Sequence, residues 1–277
     1  MTITSQHNPA LKQLRRLARK HDRERSGMFL AEGEDLIAAA EQAGWPVEEG
    51  YRVAGSELGG EDFIDVEQTA LAAVSTLGSG TRVIGVYEQR WAEKPKGPLC
   101  VCLHGVGDPG NVGTVLRSAK AFGASSVALG PGCADPYAPK AVRASMGAIF
   151  AVEIARVHDV RELPGERIAL VAHGGEVLRG PSVPRQDSGP ASIDERRSNG
   201  SRAGLGDRSR VGSAITLLVG AERDGLPEEI VAACERTAHI PIEAESLNAA
   251  MAATVALYEM TMRSHPPGRE NDTVTTK

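Results

Sequence analysis

Apolar residues first recur at helical spacing in Leu11, Leu14, Leu17 and Ala18, behind an Asn8-Pro9 pair that reads as an N-cap followed by proline at the first helical position. Lys12, Arg15, Arg16, Arg19 and Lys20 fill the remaining positions, which makes either a solvated face or a surface for phosphates. A second helix is expected over Asp35–Ala43 with Gly44 as its stop, and the apolar stretches Tyr51–Ala54 and Arg82–Tyr87 read as strands. Trp91–Pro98, with two prolines and a glycine, breaks the pattern. It divides a small α/β unit, residues 1–92, from a larger one, with residues 93–98 as the linker.

Beyond the linker the pattern becomes regular. Strand Leu99–Leu103, helix Val112–Phe122 closed by Gly123, strand Ser126–Leu129, a short helix near Pro139–Ser145 and strands Ile149–Ile154, Arg167–Ala172 and Ala214–Val219 follow in order. A last helix, about Leu247 to Arg263, carries Leu247, Met251, Val255 and Tyr258 on one face. Continuous apolar strands alternating with helices predict a mostly parallel sheet with helices on both faces over residues 99–265. Residues 180–213, rich in Gly, Ser, Pro and Arg, bury too little to fold and read as a flexible insertion. Its six arginines either touch a polyanion or belong to an inert loop; residues 266–277 read as a loose tail.

Composition narrows the class. The chain has 277 residues, 41% hydrophobic and 24% charged, which excludes wholesale disorder and leaves room for two cores. No apolar run reaches the roughly 18 residues of a membrane span and the start lacks a signal peptide's apolar core, so a cytoplasmic protein away from membranes is expected. Cys100, Cys102, Cys133 and Cys234 show neither zinc spacing nor a disulfide framework; inert buried thiols and no metal are expected. The net charge of −5 argues against a nucleic-acid binder. The charge is uneven, however: residues 1–30 hold seven basic and two acidic side chains, whereas residues 31–95 hold four and thirteen.

The strand Leu99–Leu103 runs into His104-Gly-Val-Gly-Asp-Pro-Gly-Asn-Val-Gly-Thr114 and then a helix, which is where parallel α/β folds bind ligands. Gly105, Gly107 and Gly110 satisfy G-x-G-x-x-G, the sign of a dinucleotide oxidoreductase. Here, though, the third glycine falls in the turn rather than the helix, and the next strand ends in Gly130-Pro-Gly instead of a ribose-binding acid.

A different pattern fits better. Asp108-Pro-Gly-Asn111-Val-Gly113-Thr-Val-Leu-Arg117 resembles the first motif of the SpoU (TrmH-like) RNA 2′-O-methyltransferases of the SPOUT superfamily. Val219-Gly220-Ala-Glu222-Arg-Asp-Gly225-Leu226 is similar to the second, and Ile240-Pro-Ile followed by Ser246-Leu247-Asn248 to the third. Ala249-Ala250 stand where that motif usually carries Val-Ser. Ser5–Leu17 and Phe29–Gly33 resemble the L30e-like substrate-binding domain that precedes many of these enzymes.

The resemblance implies an α/β fold with a deep trefoil knot, S-adenosylmethionine as cofactor, and a homodimer whose interface the last helix supplies. It implies RNA as partner, ribosomal RNA before tRNA, with a non-catalytic ribosome-assembly factor as the alternative. Carried over by position, Gly220, Ile240 and Leu247 hold the cofactor through backbone groups, although Ile240 and Leu247 also fit plain core. Arg117, Asn111, Glu222, Ser246 and Asn248 make the catalytic set. Each polar member has a local alternative: Asn111 or Ser246 as a helix cap, Glu222 as an ion pair with Arg223. An arginine keeps its proton in proteins, so Arg117 is expected to clamp phosphate and stabilise the developing alkoxide.

Overall fold

In the computed structural model the described residues are 2–76, 80–180 and 214–262. The expected insertion beyond Gly180, the tail and Arg263 of the last helix lie outside them. Helix α1 (Pro9–Leu17) starts as its sequence dictates: the Asn8 side chain accepts the Ala10 amide at 2.9 Å, and Leu11, Leu14 and Leu17 are buried. The basic stretch is not one helix. Ala18 is the exposed C-cap of α1, and Arg19 is the N-cap of a second helix, α2 (Lys20–Ser26), which Gly27 ends in the left-handed conformation. α2 has no apolar residue; its anchor is Arg23, buried and donating to the carbonyls of Leu17 and Ala18.

Strands β1 (Met28–Glu32), β2 (Glu49–Val53), β3 (Ile64–Val66) and β4 (Val83–Glu88) form one sheet in the order β1-β4-β2-β3, with helices α3 (Glu34–Gln42) and α4 (Gln68–Ala72) between them. Only β2 and β3 pair parallel. The sequence pattern marks α3, β2 and β4 to within two residues, but not α2, β1, β3 or α4, each seven residues or fewer.

The second sheet holds β5 (Leu99–Leu103), β6 (Ser126–Leu129), β7 (Glu153–Arg156), β8 (Glu166–Leu170), β9 (Glu176–Val177), β10 (Ile215–Val219) and β11 (Arg236–His239). Their order is β7-β6-β5-β10-β8-β11-β9, and every pair is parallel. Side chains alternate across it. Val101, Leu103, Val127, Ile168 and Leu217 face the core shared with α5 (Pro109–Ala121) and α8 (Ala249–Met262); Cys100, Cys102, Ala128, Ala169 and Leu218 face the other side, against Ile230 and Val231 of α7 (Glu228–Ala232). A short helix α6 (Pro139–Ala144) packs on α5.

Three expectations shift. α5 begins three residues earlier than its apolar run, because Pro109 at its first position moves the cap to Asp108, whose carboxylate accepts the Gly110 and Asn111 amides at 2.6 and 3.1 Å; Gly110, expected in the turn, therefore lies in the first turn of the helix. The stretch Ile149–Ile154 divides into a 3-10 turn at Ala148–Phe150 and the strand β7. Cys100 and Cys102 are buried, but Cys133 and Cys234 only partly; burial nonetheless pushes all four thiols up.

The two sheets share one core. Phe29 of β1 packs on Tyr137, ring centroids 4.8 Å apart, and on Trp45, Tyr87 and Phe150. Beside it Arg23, 3% exposed at its side chain, donates to Asp135 at 2.6 Å. Breaking such a pair leaves a buried unpaired charge, at a cost of about 3–5 kcal/mol.

Candidate functional site

The site gathers at the carboxyl edge of the second sheet, where β5, β8, β10 and β11 end. After β10 the chain closes a tight turn, with Ala221 and Gly225 exchanging amide-to-carbonyl bonds at 3.1 and 3.0 Å and Gly225 at φ 64°. A Cβ on Gly220 would fall inside van der Waals contact of the Gly225 carbonyl and the Leu226 nitrogen. Gly220 is therefore dictated first by its own turn, a constraint the motif reading did not include.

That turn holds Glu222 where its carboxylate accepts the Asn111 side-chain amide. Because a carboxylate only accepts, the Asn111 nitrogen must face Glu222, and its oxygen is left to accept from the Asn248 amide at 3.2 Å. The Asn248 oxygen in turn accepts the Ala250 and Met251 backbone amides at 2.9 and 3.4 Å. One hydrogen-bonded chain thus joins all three sequence motifs, across separations of 111 and 137 residues.

The local alternatives are answered by the same bonds. Asp108, not Asn111, caps α5; Asn248, not Ser246, caps α8; and the partner of Glu222 is Asn111 rather than Arg223. Lys140, 2.6 Å away, holds the Asp108 carboxyl below the usual carboxylate range, aided by the two amides it caps.

Beside this chain lies a cavity of about 420 Å³. Gly220, Ile240 and Leu247 line it, as do Glu222 and Ser246. Ile240 and Leu247 are only partly buried, so they form a wall rather than plain core. The sequence reading gave no role to Leu170–His173, which form the end of β8 and the turn beyond it, to Ile242, which it quoted only as part of the third motif, or to Glu245. For Leu170–His173 the only signal was position, since the end of a parallel strand next to β10 must open onto the same edge. Asn111 and Asn248 adjoin the cavity through Glu222 without lining it, and Arg117 lies outside its wall. Arg117 is exposed on α5, on the side that Asn111 and Thr114 share at helical spacing, and its guanidinium has no partner among the described residues.

The basic residues of the first two helices do not touch this cavity. Lys12, Arg16, Arg19 and Lys20 are exposed, whereas Arg15 is half-buried and donates to the Ala73 carbonyl at 3.2 Å. Among the described residues no helix is long and apolar enough to cross a membrane.

Comparison with known proteins follows the same division of the chain. A family model described as the SpoU rRNA Methylase family matches residues 98–258, and one for an MRM3-like substrate binding domain matches residues 8–89. The 23S rRNA (guanosine(2553)-2'-O)-methyltransferase RlmP of Bacillus subtilis is 26% identical over 266 residues, covering 93% of this chain and 98% of that protein. The 23S rRNA (uridine(2479)-2'-O)-methyltransferase of Streptomyces viridochromogenes is 32% identical, covering 88% and 85%. A crystal structure of an AdoMet-bound rRNA methyltransferase from Sinorhizobium meliloti superposes with a TM-score of 0.73 at 28% identity, covering 96% of this chain and 98% of that one.

Proposed function

The chain belongs to the SpoU rRNA Methylase family, and from that premise we propose that it methylates a ribose 2′-hydroxyl of ribosomal RNA with S-adenosylmethionine bound in the cavity beside Gly220. The observation that carries this reading is the Glu222–Asn111–Asn248 chain, which brings polar residues of three distant motifs to the rim of one apolar-walled cleft. A binding-only role would not require it.

The residues fit the cofactor. Its volume is within the range of ligand clefts, about 300–1,000 Å³. Val219, Ile240, Leu247, Ala249 and Ala252 make an apolar wall for a purine, and the Glu222 and Glu245 carboxylates at the rim suit a cationic sulfonium. When bound, S-adenosylmethionine supplies an electrophilic methyl group. The chain's own part is positioning and charge. Asn111, locked between Glu222 and Asn248, orients the ribose, and Ser246 adds a hydroxyl on the same rim. Of the five proposed catalytic residues only Glu222 is a carboxylate, so it is the group that takes the hydroxyl proton, directly or through water. Arg117, whose guanidinium has no partner among the described residues, clamps the adjacent phosphate and stabilises the alkoxide as it forms.

The reading extends to the architecture: residues 1–92 as an L30e-like RNA-binding domain, 93–98 as linker, 99–265 as a knotted SPOUT domain, and a homodimeric cytoplasmic enzyme without a metal. Mapping ribose methylation across total RNA with and without the gene tests the substrate, and a lost tRNA site would move it to tRNA. Calorimetry should give one S-adenosylmethionine per subunit for wild type and for Arg117→Ala alike, with methyl transfer to unmethylated 23S rRNA falling at least a hundredfold in the variant. Wild-type turnover by Arg117→Ala would remove Arg117 from the mechanism.

A further inference from the structure

A second cleft, of about 320 Å³, opens between α2 and the carboxyl ends of β6 and β7, outside the site described above. Lys20 reaches it from α2, Trp91 from the segment between the two sheets, Pro131 from the loop after β6, and Arg156 and His158 from the end of β7. Arg156 lays its guanidinium over the Trp91 indole, 4.1 Å from the ring centroid, and its side chain has no hydrogen-bond or ion-pair partner among the described residues. Two carboxylates also line the cleft, and each has a cationic partner: Asp135 holds Arg23 at 2.6 Å, and Glu24 lies 3.8 Å from Lys20. The cleft therefore presents a partly exposed aromatic ring, a planar cation with no hydrogen-bond or ion-pair partner among the described residues, an imidazole, and an ammonium whose contact with Glu24 is long enough for a phosphate to displace. That set matches a nucleobase with its phosphate, stacked on the ring plane and held by charge.

Its place in the fold connects it to the reaction. The Pro131 carbonyl accepts the Gly105 amide at 2.9 Å, and a Cβ on Gly105 would lie 3.5 Å from Ala221, which lines the main cavity. The two clefts thus share one sheet edge, separated by two to three strand spacings of about 4.8 Å, the span of a few nucleotides. On its other side the cleft meets Lys20, which continues from the basic residues of α1.

We infer that this cleft is a stacking subsite for a nucleotide flanking the methylated one, with Trp91 and Arg156 as its platform and Lys20 and His158 as its phosphate contacts. The inference rests on the RNA reading above. The chain has only two tryptophans, so Trp45→Phe leaves Trp91 as the sole indole reporter. Hexauridylate should quench Trp91 emission saturably in that variant, and adding Arg156→Glu should weaken the binding curve about tenfold. In the otherwise native enzyme Arg156→Glu should raise the KM for 23S rRNA about tenfold while leaving kcat and S-adenosylmethionine binding unchanged. Trp91 emission that stays constant at hexauridylate concentrations saturating an anisotropy signal would overturn the subsite, as would a native KM in Arg156→Glu. Because quenching needs no methyl transfer, the two readings separate. A chain that stacks the oligonucleotide yet methylates nothing would overturn the enzymatic reading alone, and one that methylates RNA with Trp91 silent would overturn the subsite alone.

Discussion

A methyl group added to Gly220 has nowhere to go, because the atoms it would meet are backbone atoms of Gly225 and Leu226 that the Ala221–Gly225 bonds hold in place. Gly225, at the other end of the same turn, is different: a Cβ there meets nothing within 4 Å, and only its positive φ resists substitution. Gly220→Ala is therefore expected to cost about 2–3 kcal/mol in urea unfolding and to weaken S-adenosylmethionine binding in calorimetry. Gly225→Ala is expected to cost about 1–2 kcal/mol with the cavity intact. Gly220 itself does not have a positive φ, so a cost for Gly220→Ala no larger than that for Gly225→Ala would mean that the turn shifts to admit the methyl group and that the close approach does not require glycine. Asn111 shows how far single residues could be read in advance. Its type allowed a cap or a ribose contact, and the neighbour that decides between them is Asp108, three positions earlier, which takes the cap because Pro109 sets the start of the helix. The sequence contained both residues, but only the fold shows that Glu222, 111 positions away, claims the amide that remains.

Elements were legible in proportion to how much apolar surface they bury. β5, β6 and β10 run through the middle of the large sheet, are covered on both faces and read as nearly continuous apolar runs, while β8 beside them is apolar only in its last three residues, Ile168–Leu170. β11 and β9 lie at its edge; β11 (Arg-Thr-Ala-His) buries only Ala238 and β9 buries nothing, so neither has a hydrophobic signature. α2 was invisible for a related reason, since a buried arginine does the anchoring that leucines do in α1. The division of one expected helix into α1 and α2 also sorts its cations. Lys12, Arg16 and Arg19 project into solvent while Arg15 is tied to the Ala73 carbonyl. Replacing Lys12, Arg16 and Arg19 with glutamine should lower the slope of log K against log salt for RNA binding by about 2, at roughly 0.7–0.9 per phosphate contact. An unchanged slope would make this face merely solvated and restore the force of the acidic net charge.

At the scale of the molecule, a net charge of −5 is compatible with an RNA substrate because the charge is uneven, with seven basic against two acidic side chains in the first thirty positions. Its acidic excess lies elsewhere, much of it in residues 31–95. One surface has no such account among the described residues. α8 is apolar nearly all round, which is the pattern of a helix buried on every side. Ala250, Ala253, Ala256, Leu257 and Met260 are indeed buried against α5 and the sheet, yet Met251, Val255 and Tyr258 are 57%, 40% and 48% exposed along the opposite face. Ile242 and Val177, also exposed, extend the list of large apolar side chains left in water near the same edge of the sheet. A contiguous stripe of this kind suits an interface, and in the homodimer proposed above the simplest closed arrangement is a two-fold pair in which the stripe meets its own copy. Sedimentation of the wild-type chain at micromolar concentration should then give a dimer. Val255→Asp with Tyr258→Asp, which places four carboxylates across that seam, should give a folded monomer with unchanged α1-dependent RNA binding and reduced methyl transfer. A wild-type monomer, or a double variant that remains dimeric, would mean that the stripe is covered by something other than a second copy.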